Sequence, residues 1–212
     1  MQIRTKVAVL SLSLALGLSG GSLAAQDKPG QKPGENPAGA MGMTPEQMEN
    51  MVKAATPGEP HKHLAKMAGQ WTFTNKMWMD PSQPPAESTG TMQAETILDG
   101  RYVQSVWKGN FMGQPFEGHG TDGWDNLAKK YVSSWVDNMG TGILYSTGTC
   151  EQGFKVCTSS GDMIDPMTGQ PSSMRSVITW SDDNNFKNEL YGKDPSSGKE
   201  VKMMEMVVTR KK

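Results

Sequence analysis

From Trp71 onward, the chain consists of short runs of alternating apolar and polar residues separated by turn residues. Such runs, recurring about every 8 to 12 positions, are typical of an all-β sandwich or barrel. The turns have recognisable chemistry: Asp99-Gly100 suits a two-residue hairpin, and Asp165-Pro166 and Asp194-Pro195 are each followed by a glycine placed for a positive φ angle. The pattern therefore predicts a mainly β domain.

About ten strands follow from this pattern. Consecutive antiparallel strands joined by short turns form a meander, and a meander of this length removes its exposed edges by closing into a barrel. We therefore predict an antiparallel up-and-down barrel whose interior is either filled by side chains or holds one ligand. The predicted strands are 71–79, 88–97, 101–108, 116–120, 130–137, 143–149, 154–160, 174–181, 186–191 and 201–209.

One or two short helices are predicted to precede the barrel. Thr44 is placed as an N-cap, with Pro45 at the first helical position and Gln47 completing a capping box. This signature predicts an N-terminal helix within 44–58, with Met48 and Met51 on its apolar face. A second helix is expected from near His61 to Ala68, at the start of a barrel domain spanning 59–212.

The first 43 residues have the composition of an export signal and a tether. A short basic start with Arg4 and Lys6, the apolar run 7–18 and the small residues 22–25 predict a cleavable signal peptide at 1–25. Residues 26–43 are rich in Pro, Gly and polar groups, which predicts a flexible tether. We therefore expect a periplasmic protein without a membrane span.

Composition and charge narrow the classes of partner. The apolar set makes up 35 % of the chain, and the many glycines add to it, so a core is available. The 21 Lys and Arg residues are balanced by 22 Asp and Glu residues, and no basic stripe occurs outside the short C-terminal end. Nucleic acid is therefore not an expected partner, whereas a small-molecule ligand is.

The only two cysteines, Cys150 and Cys157, flank Glu151-Gln152-Gly153-Phe154. Gly153 can take a positive φ angle, so the cysteines can face each other across a tight hairpin. Export would place them in an oxidising compartment, and a disulfide is predicted. A redox-active pair is the alternative, but it usually has C-x-x-C spacing at a helix start.

Several ordered motifs resemble one bacterial family. They are Lys76-Met77-Trp78-Met79-Asp80-Pro81, Gly113-x-Pro115-Phe116-Glu117-Gly118, Gly123-Trp124-Asp125-Asn126, Trp135-x-Asp137, Asp165-Pro166-x-Thr168-Gly169 and Met204-Glu205-Met206. Together they are similar to the family catalogued as domain of unknown function 1579, over about residues 60 to 212. The departure is Trp124, where the family usually has Tyr. The family name implies no activity.

A second resemblance concerns barrel closure. Gly69-x-Trp71 on the first strand and Arg210 on the last resemble the signature of lipocalin-like (calycin) barrels. In those barrels the Trp packs against the Arg and closes one end, and an indole face does attract a guanidinium. The resemblance therefore implies a structural role for Trp71 and Arg210 and a lipocalin-like barrel.

The expected function is binding of a small apolar or amphipathic ligand in the lumen, because ligand pockets combine aromatic walls with a few polar groups. No catalytic residue, metal ligand or cofactor is assigned. Three alternatives stay open: an enzyme using Asp137 and Glu205, periplasmic copper binding by methionines such as Met204 and Met206, and a packed structural barrel. The expected lining residues are Trp78, Trp107, Trp135, Asp137, Arg175 and Glu205.

Two weaker patterns lack the context that their chemistry needs. Gly118-His119-Gly120-Thr121-Asp122-Gly123 fits the dinucleotide pattern G-x-G-x-x-G, but no helix is predicted after it. His61 and His63 are two positions apart on a short helix, so they point to different sides and are interpreted as surface residues.

Overall fold

A computed structural model describes residues 42–165, 168–194 and 197–212. The predicted signal peptide lies outside the described residues, and so does the predicted tether apart from Gly42 and Met43. One compact unit spans Thr44–Lys212. Its elements are helices α1 (Pro45–Ala55) and α2 (Glu59–Ala65), followed by strands β1 (Gly69–Met77), β2 (Ala86–Ile97), β3 (Tyr102–Phe111), β4 (Gln114–Asp125), β5 (Lys130–Asp137), β6 (Leu144–Cys150), β7 (Val156–Ile164), β8 (Pro171–Asp182), β9 (Asn185–Lys193) and β10 (Glu200–Arg210).

The ten strands form one closed antiparallel barrel in which each strand pairs with its neighbours in sequence. Closure comes from the pairing of β1 with β10, in register from Trp71 with Arg210 to Met77 with Met204. The predicted up-and-down barrel is therefore confirmed. The largest difference is β4, which continues to Asp125 beyond the predicted end at Gly120, so the glycine-rich pattern lies inside a strand.

The two helices differ in how they meet the barrel. Helix α1 has the predicted capping box, in which Thr44 Oγ1 accepts from the Gln47 N–H at 3.2 Å, but none of its residues is buried. It is held at its C-terminal end, where the Asn126 side chain donates to the carbonyls of Lys53 and Thr56. Helix α2 instead buries Leu64 and leads into the barrel.

Strand alternation divides the barrel interior into two unlike walls. On one side lies the aromatic core, whose largest members are Trp71, Phe73, Trp107, Trp180 and Phe186. On the other side, the inward positions in the middle of β5 to β8 are serines and glycines, as the register shows. These small positions include the hydroxyl wall, which we define as Ser133, Ser146, Ser159 and Ser176. Bulky residues therefore fill only part of the lumen.

The glycines of β4 make room for one large side chain. A Cβ atom at Gly118 would overlap the Trp135 ring, and one at Gly120 would crowd Ser105 and the same ring. Trp135 therefore lies across the inner face of β4 and reaches Trp107, with ring centroids 6.4 Å apart. The pattern that resembles a dinucleotide motif thus serves packing.

The β6–β7 hairpin carries the predicted disulfide, in which Cys150 and Cys157 are direct register partners. Gly153 takes a φ of 81°, as the turn requires. Phe154 was expected to begin β7, but it lies in the turn with a φ of 59° and its ring stacks on His63 at 4.9 Å. The hairpin tip therefore folds over the barrel end that α2 covers.

Arg210 fastens that covered end. Its guanidinium carbon lies 4.0 Å from the centroid of the Trp71 ring. Its nitrogens donate to the carbonyls of Ala68 at 2.8 Å and Lys66 at 2.6 Å, and also to the Asp183 carbonyl. One side chain thus joins the last strand, the segment after α2 and the β8–β9 turn.

Replacing Arg210 with Met tests this fastening. Methionine keeps most of the apolar stem but leaves three carbonyls without their donor, so we expect the free energy of unfolding to fall by about 2 kcal/mol. Guanidinium unfolding followed by tryptophan fluorescence measures the change. Lys211→Met at the exposed next position is the matched control, and an equal effect of both substitutions would contradict the role of Arg210.

Candidate functional site

A cavity of about 70 Å³ lies inside the barrel toward the end that α2 covers. It forms where the inward side chains of β5, β6 and β7 are serines, so the strand alternation itself leaves the space. Aromatic and apolar residues bound its other sides. Its lining includes His63, Leu64, Met67, Asp122, Tyr131, Ser133, Ser146, Cys157, Ser159, Ile178, Trp180 and Phe186.

Asp122 is the unusual group in this cavity. It stands opposite Val103 on β3 and Ser133 on β5, so its carboxyl faces the lumen. Among the described residues, none donates a hydrogen bond to this carboxyl and no cation pairs with it. Burial alone raises its pKa from 3.8 to about 6. Asp122 is half-buried by exposed surface, and a carboxyl with a raised pKa in a cavity is a candidate functional group.

Two further ring groups border the same cavity. The Tyr131 hydroxyl is buried without a hydrogen-bond partner among the described residues, and burial raises its pKa to about 12. Burial also lowers the pKa of His63, and the nearby Lys66 lowers it further. At neutral pH the cavity therefore presents a largely ionised Asp122 beside an uncharged phenol and an uncharged imidazole.

The opposite end of the barrel is lined by half-buried apolar side chains. Register and alternation place six inward residues around it, and we call this set the mouth. These side chains are half-buried, whereas α2 and the tip of the β6–β7 hairpin lie over the other end. The mouth consists of Met77, Leu144, Met163, Met174, Leu190 and Met204.

Three of the six residues expected to line the lumen lie on the inner face. Trp107 is buried in the aromatic core, with its indole N–H donating to Ser105 Oγ at 3.0 Å. Trp135 and Asp137 lie next to each other, since the Trp135 indole donates to Asp137 Oδ2 at 2.8 Å. Asp137 Oδ1 also accepts from the Met139 N–H, so each carboxylate oxygen accepts one hydrogen bond.

The other three lie outside the lumen, and the expectation that they line it is wrong. Arg175 makes two hydrogen bonds to Glu200 and lies 4.1 Å from the Tyr191 ring centroid on the outer face. Glu205 bonds Lys202, whose ammonium is 5.4 Å from the Trp78 ring centroid. Asp137 and Glu205 therefore share no site that an enzyme could use as a pair.

A β-bulge explains the error at Glu205. The register of β10 with β9 shifts between Lys202 and Met204, so Met203 is an extra residue and the alternation changes phase there. The sulfur of Met203 occupies the space that a Cβ atom at Gly192 would need, which places it at the mouth. Glu205 consequently lies on the outer face, although strict alternation from the inward Val201 would place it inside.

The histidines are less exposed than their spacing suggests. His61 is only 5 % exposed, and its Nδ1 accepts from the Gly58 N–H at 3.0 Å, so interpreting it as a surface residue is wrong. His119 lies on an exposed part of β4 and pairs with Glu117. Within the described ranges, no group of three His, Cys, Asp or Glu side chains is placed to hold a metal ion.

The family model described as "Protein of unknown function (DUF1579)" matches residues 56–210. The chain belongs to this family. The match agrees with the resemblance seen in the sequence motifs, and it assigns no activity. No curated protein matches the chain.

Solved structures with similar folds have little sequence in common with this chain. The crystal structure of Rv2717c from M. tuberculosis has a TM-score of 0.55 at 12 % identity, covering 74 % of this chain and 100 % of that one. A redesigned beta barrel, b11L5F_LGL, has a TM-score of 0.36 at 15 % identity, with coverage of 76 % and 98 %. EF1p2_mFAP2b bound to DFHBI has a TM-score of 0.37 at 13 % identity, with coverage of 69 % and 94 %. The first of these supports the barrel fold and nothing further.

No helix among the described residues is long and apolar enough to cross a bilayer.

The raised pKa of Asp122 makes stability depend on pH. The unfolded chain loses this proton near pH 3.8 and the folded chain near pH 6, so the folded state binds more protons in between. The contribution of Asp122 to the free energy of unfolding, measured as wild type minus Asp122→Asn, should therefore fall by about 2–3 kcal/mol as pH rises from about 4 to 7, and then level off. Asp122→Asn removes this fall, whereas Asp99→Asn, on a side chain that is 98 % exposed, keeps it. Denaturant unfolding at a series of pH values measures it, and identical profiles for the wild type and Asp122→Asn would contradict the buried carboxyl.

Proposed function

We propose that this chain is an exported binding protein that holds a small amphipathic molecule in its barrel lumen. The observation that carries the proposal is the unevenly filled interior, where a cavity lies against the hydroxyl wall. Ligand sites typically combine mostly apolar walls with a few polar groups. Here the polar groups are Asp122, Tyr131 and the serines, and the apolar groups include Leu64, Met67 and Ile178.

Unsatisfied polar atoms support a ligand over a purely structural interior. The Tyr131 hydroxyl and Asn75 Oδ1 are both buried without a partner among the described residues. Leaving such a group unpaired costs about 1–3 kcal/mol, so a lumen selected for packing alone would replace or satisfy them. A bound molecule that supplies these hydrogen bonds accounts for their retention.

Export is supported by the Cys150–Cys157 disulfide, because disulfides persist mainly in oxidising compartments. The basic and apolar residues at 1–25, which have the composition of a signal peptide, also support export. Ligands are accordingly proposed among the molecules of the cell envelope.

Blocking the cavity tests the proposal. Ser146→Leu places a larger apolar side chain on the inner face beside the cavity, so we expect it to weaken binding of the apolar fluorophore N-phenyl-1-naphthylamine by about tenfold or more. Thr147→Leu adds the same side chain on the exposed outer face and should leave affinity unchanged. Fluorescence titration measures both. If the wild-type chain binds no probe, or both variants bind like wild type, the lumen is not the binding site.

Copper binding at the mouth is a second candidate function. Met77 and Met204 are direct register partners on the inner face, and the Met203 sulfur lies against Gly192 near the same end of the barrel. Thioethers are soft ligands that suit Cu(I). Met206, which was expected to share a copper site with Met204, lies deeper, opposite Asn75.

The copper candidate is tested by competition with a Cu(I) chelator under reducing conditions. We expect Met77→Leu with Met204→Leu to weaken Cu(I) binding by about tenfold, because leucine keeps the volume and removes the sulfur. Met112→Leu, at a site where the side chain is 73 % exposed, is the control. A wild-type chain that withdraws no Cu(I) from the chelator removes this candidate.

A further inference from the structure

Asp122 gives the lumen a charge that nothing in the described chain balances. The side chains that face it are Ser133 and Tyr131 on β5, Val103 on β3 and, across the cavity, His63 on α2. None of these is a cation at neutral pH, since burial and Lys66 keep the His63 imidazole uncharged. Asp122 is half-buried, and a charge withdrawn from bulk water is normally paired, so the missing counter-charge is a feature to explain.

Asp122 and the hydroxyl groups around it all have oxygen atoms that can accept a hydrogen bond. The carboxylate offers only lone pairs, and the Tyr131 and serine hydroxyl oxygens can each accept a hydrogen bond. An ammonium group is the complementary partner, because it carries three donors, one positive charge and no acceptor. An anionic head group would instead meet the Asp122 carboxylate at close range, with repulsion strengthened by the enclosed surroundings.

We propose that the lumen selects amphiphiles with a protonated amine head group, which donates to Asp122 while the apolar tail extends toward the mouth. The inference rests on the proposed binding function and names the ligand class for that same site. The head group lies in the cavity near α2, next to Tyr131 and Ser133. The tail follows the small inward residues Ser146 and Ser159 to the methionine and leucine side chains of the mouth.

The flexible methionines of the mouth fit a tail of variable shape. Met77, Met163, Met174 and Met204 are unbranched side chains that adapt to different apolar partners, which is how methionine is used at permissive binding surfaces. Head-group chemistry is therefore fixed by Asp122, whereas tail length and branching are not tightly specified.

The test compares three ligands that share a tail and differ in the head group: octylamine, octanol and octanoate. Isothermal titration with the full chain at pH 8 should show octylamine binding about tenfold more tightly than octanol, with octanoate the weakest. Lowering the pH from 8 to 5 should weaken octylamine binding, since Asp122 becomes protonated through its pKa of about 6 while the amine stays charged. Octanol binding should change little.

Two variants separate the carboxylate from the cavity shape. Asp122→Asn should bring octylamine and octanol to within about twofold of each other, because it removes the charge and keeps the volume. Tyr131→Phe should weaken octylamine by a smaller factor and leave its pH dependence in place. Asp99→Asn is the control that removes an exposed carboxylate. Because octylamine, octanol and octanoate are compared on the wild-type chain at pH 8, the test holds even if Asp122→Asn folds poorly.

The outcomes distinguish this inference from the proposed function. Equal binding of the three ligands, with displacement of N-phenyl-1-naphthylamine by each, would overturn amine selection and leave lumenal binding standing. Tightest binding of octanoate would also overturn it. If none of the three binds and the naphthylamine probe does not bind either, both the inference and the proposed function fail.

Discussion

Pairing of the first strand with the last is the constraint on which the rest of the molecule depends. Because β1 and β10 are in register, ten strands share one interior, and every second side chain must be accommodated there. Large aromatic residues meet that demand on one side of the barrel. The inward positions in the middle of β5, β6 and β7 are serine or glycine instead, so the same geometry that closes the barrel leaves a cavity beside Asp122.

The two ends of the barrel follow from the same pairing. At one end, Arg210 stacks on Trp71 and donates to carbonyls that precede the first strand, while α2 and Phe154 cover the opening. At the other end, methionine and leucine side chains remain half-buried. Among the described residues, the only lumenal carboxyl without a hydrogen-bond or ion-pair partner is Asp122, which lies toward the fastened end.

The sequence predicted the barrel well because turn chemistry and strand alternation are local signals. Asp99-Gly100 and the Gly153 turn mark strand boundaries, and about ten alternating runs require a closed sheet.

The candidate site was harder to predict, since polarity does not identify the outer face when the inner face carries a hydroxyl wall. Arg175 shares a strand face with Val177, and that apolar face points outward, whereas Ser176 points inward. The bulge at Met203 reversed the expectation for Glu205, and a bulge has no clear signal in an alternating sequence. Asp122 was overlooked because it sits within the glycine-rich pattern of β4, and only the register reveals that it faces Ser133.

Methionine methyl NMR tests the central claim, that the lumen holds a ligand, most directly. The inward Met77, Met163, Met174 and Met204 report on the interior, and Met79, Met112 and Met139 report on the exposed surface. If the lumen binds the probe, titration with N-phenyl-1-naphthylamine will shift the inward methyl resonances and leave the exposed ones unchanged. Shifts confined to the exposed methyl groups, or no shifts at all, would contradict it.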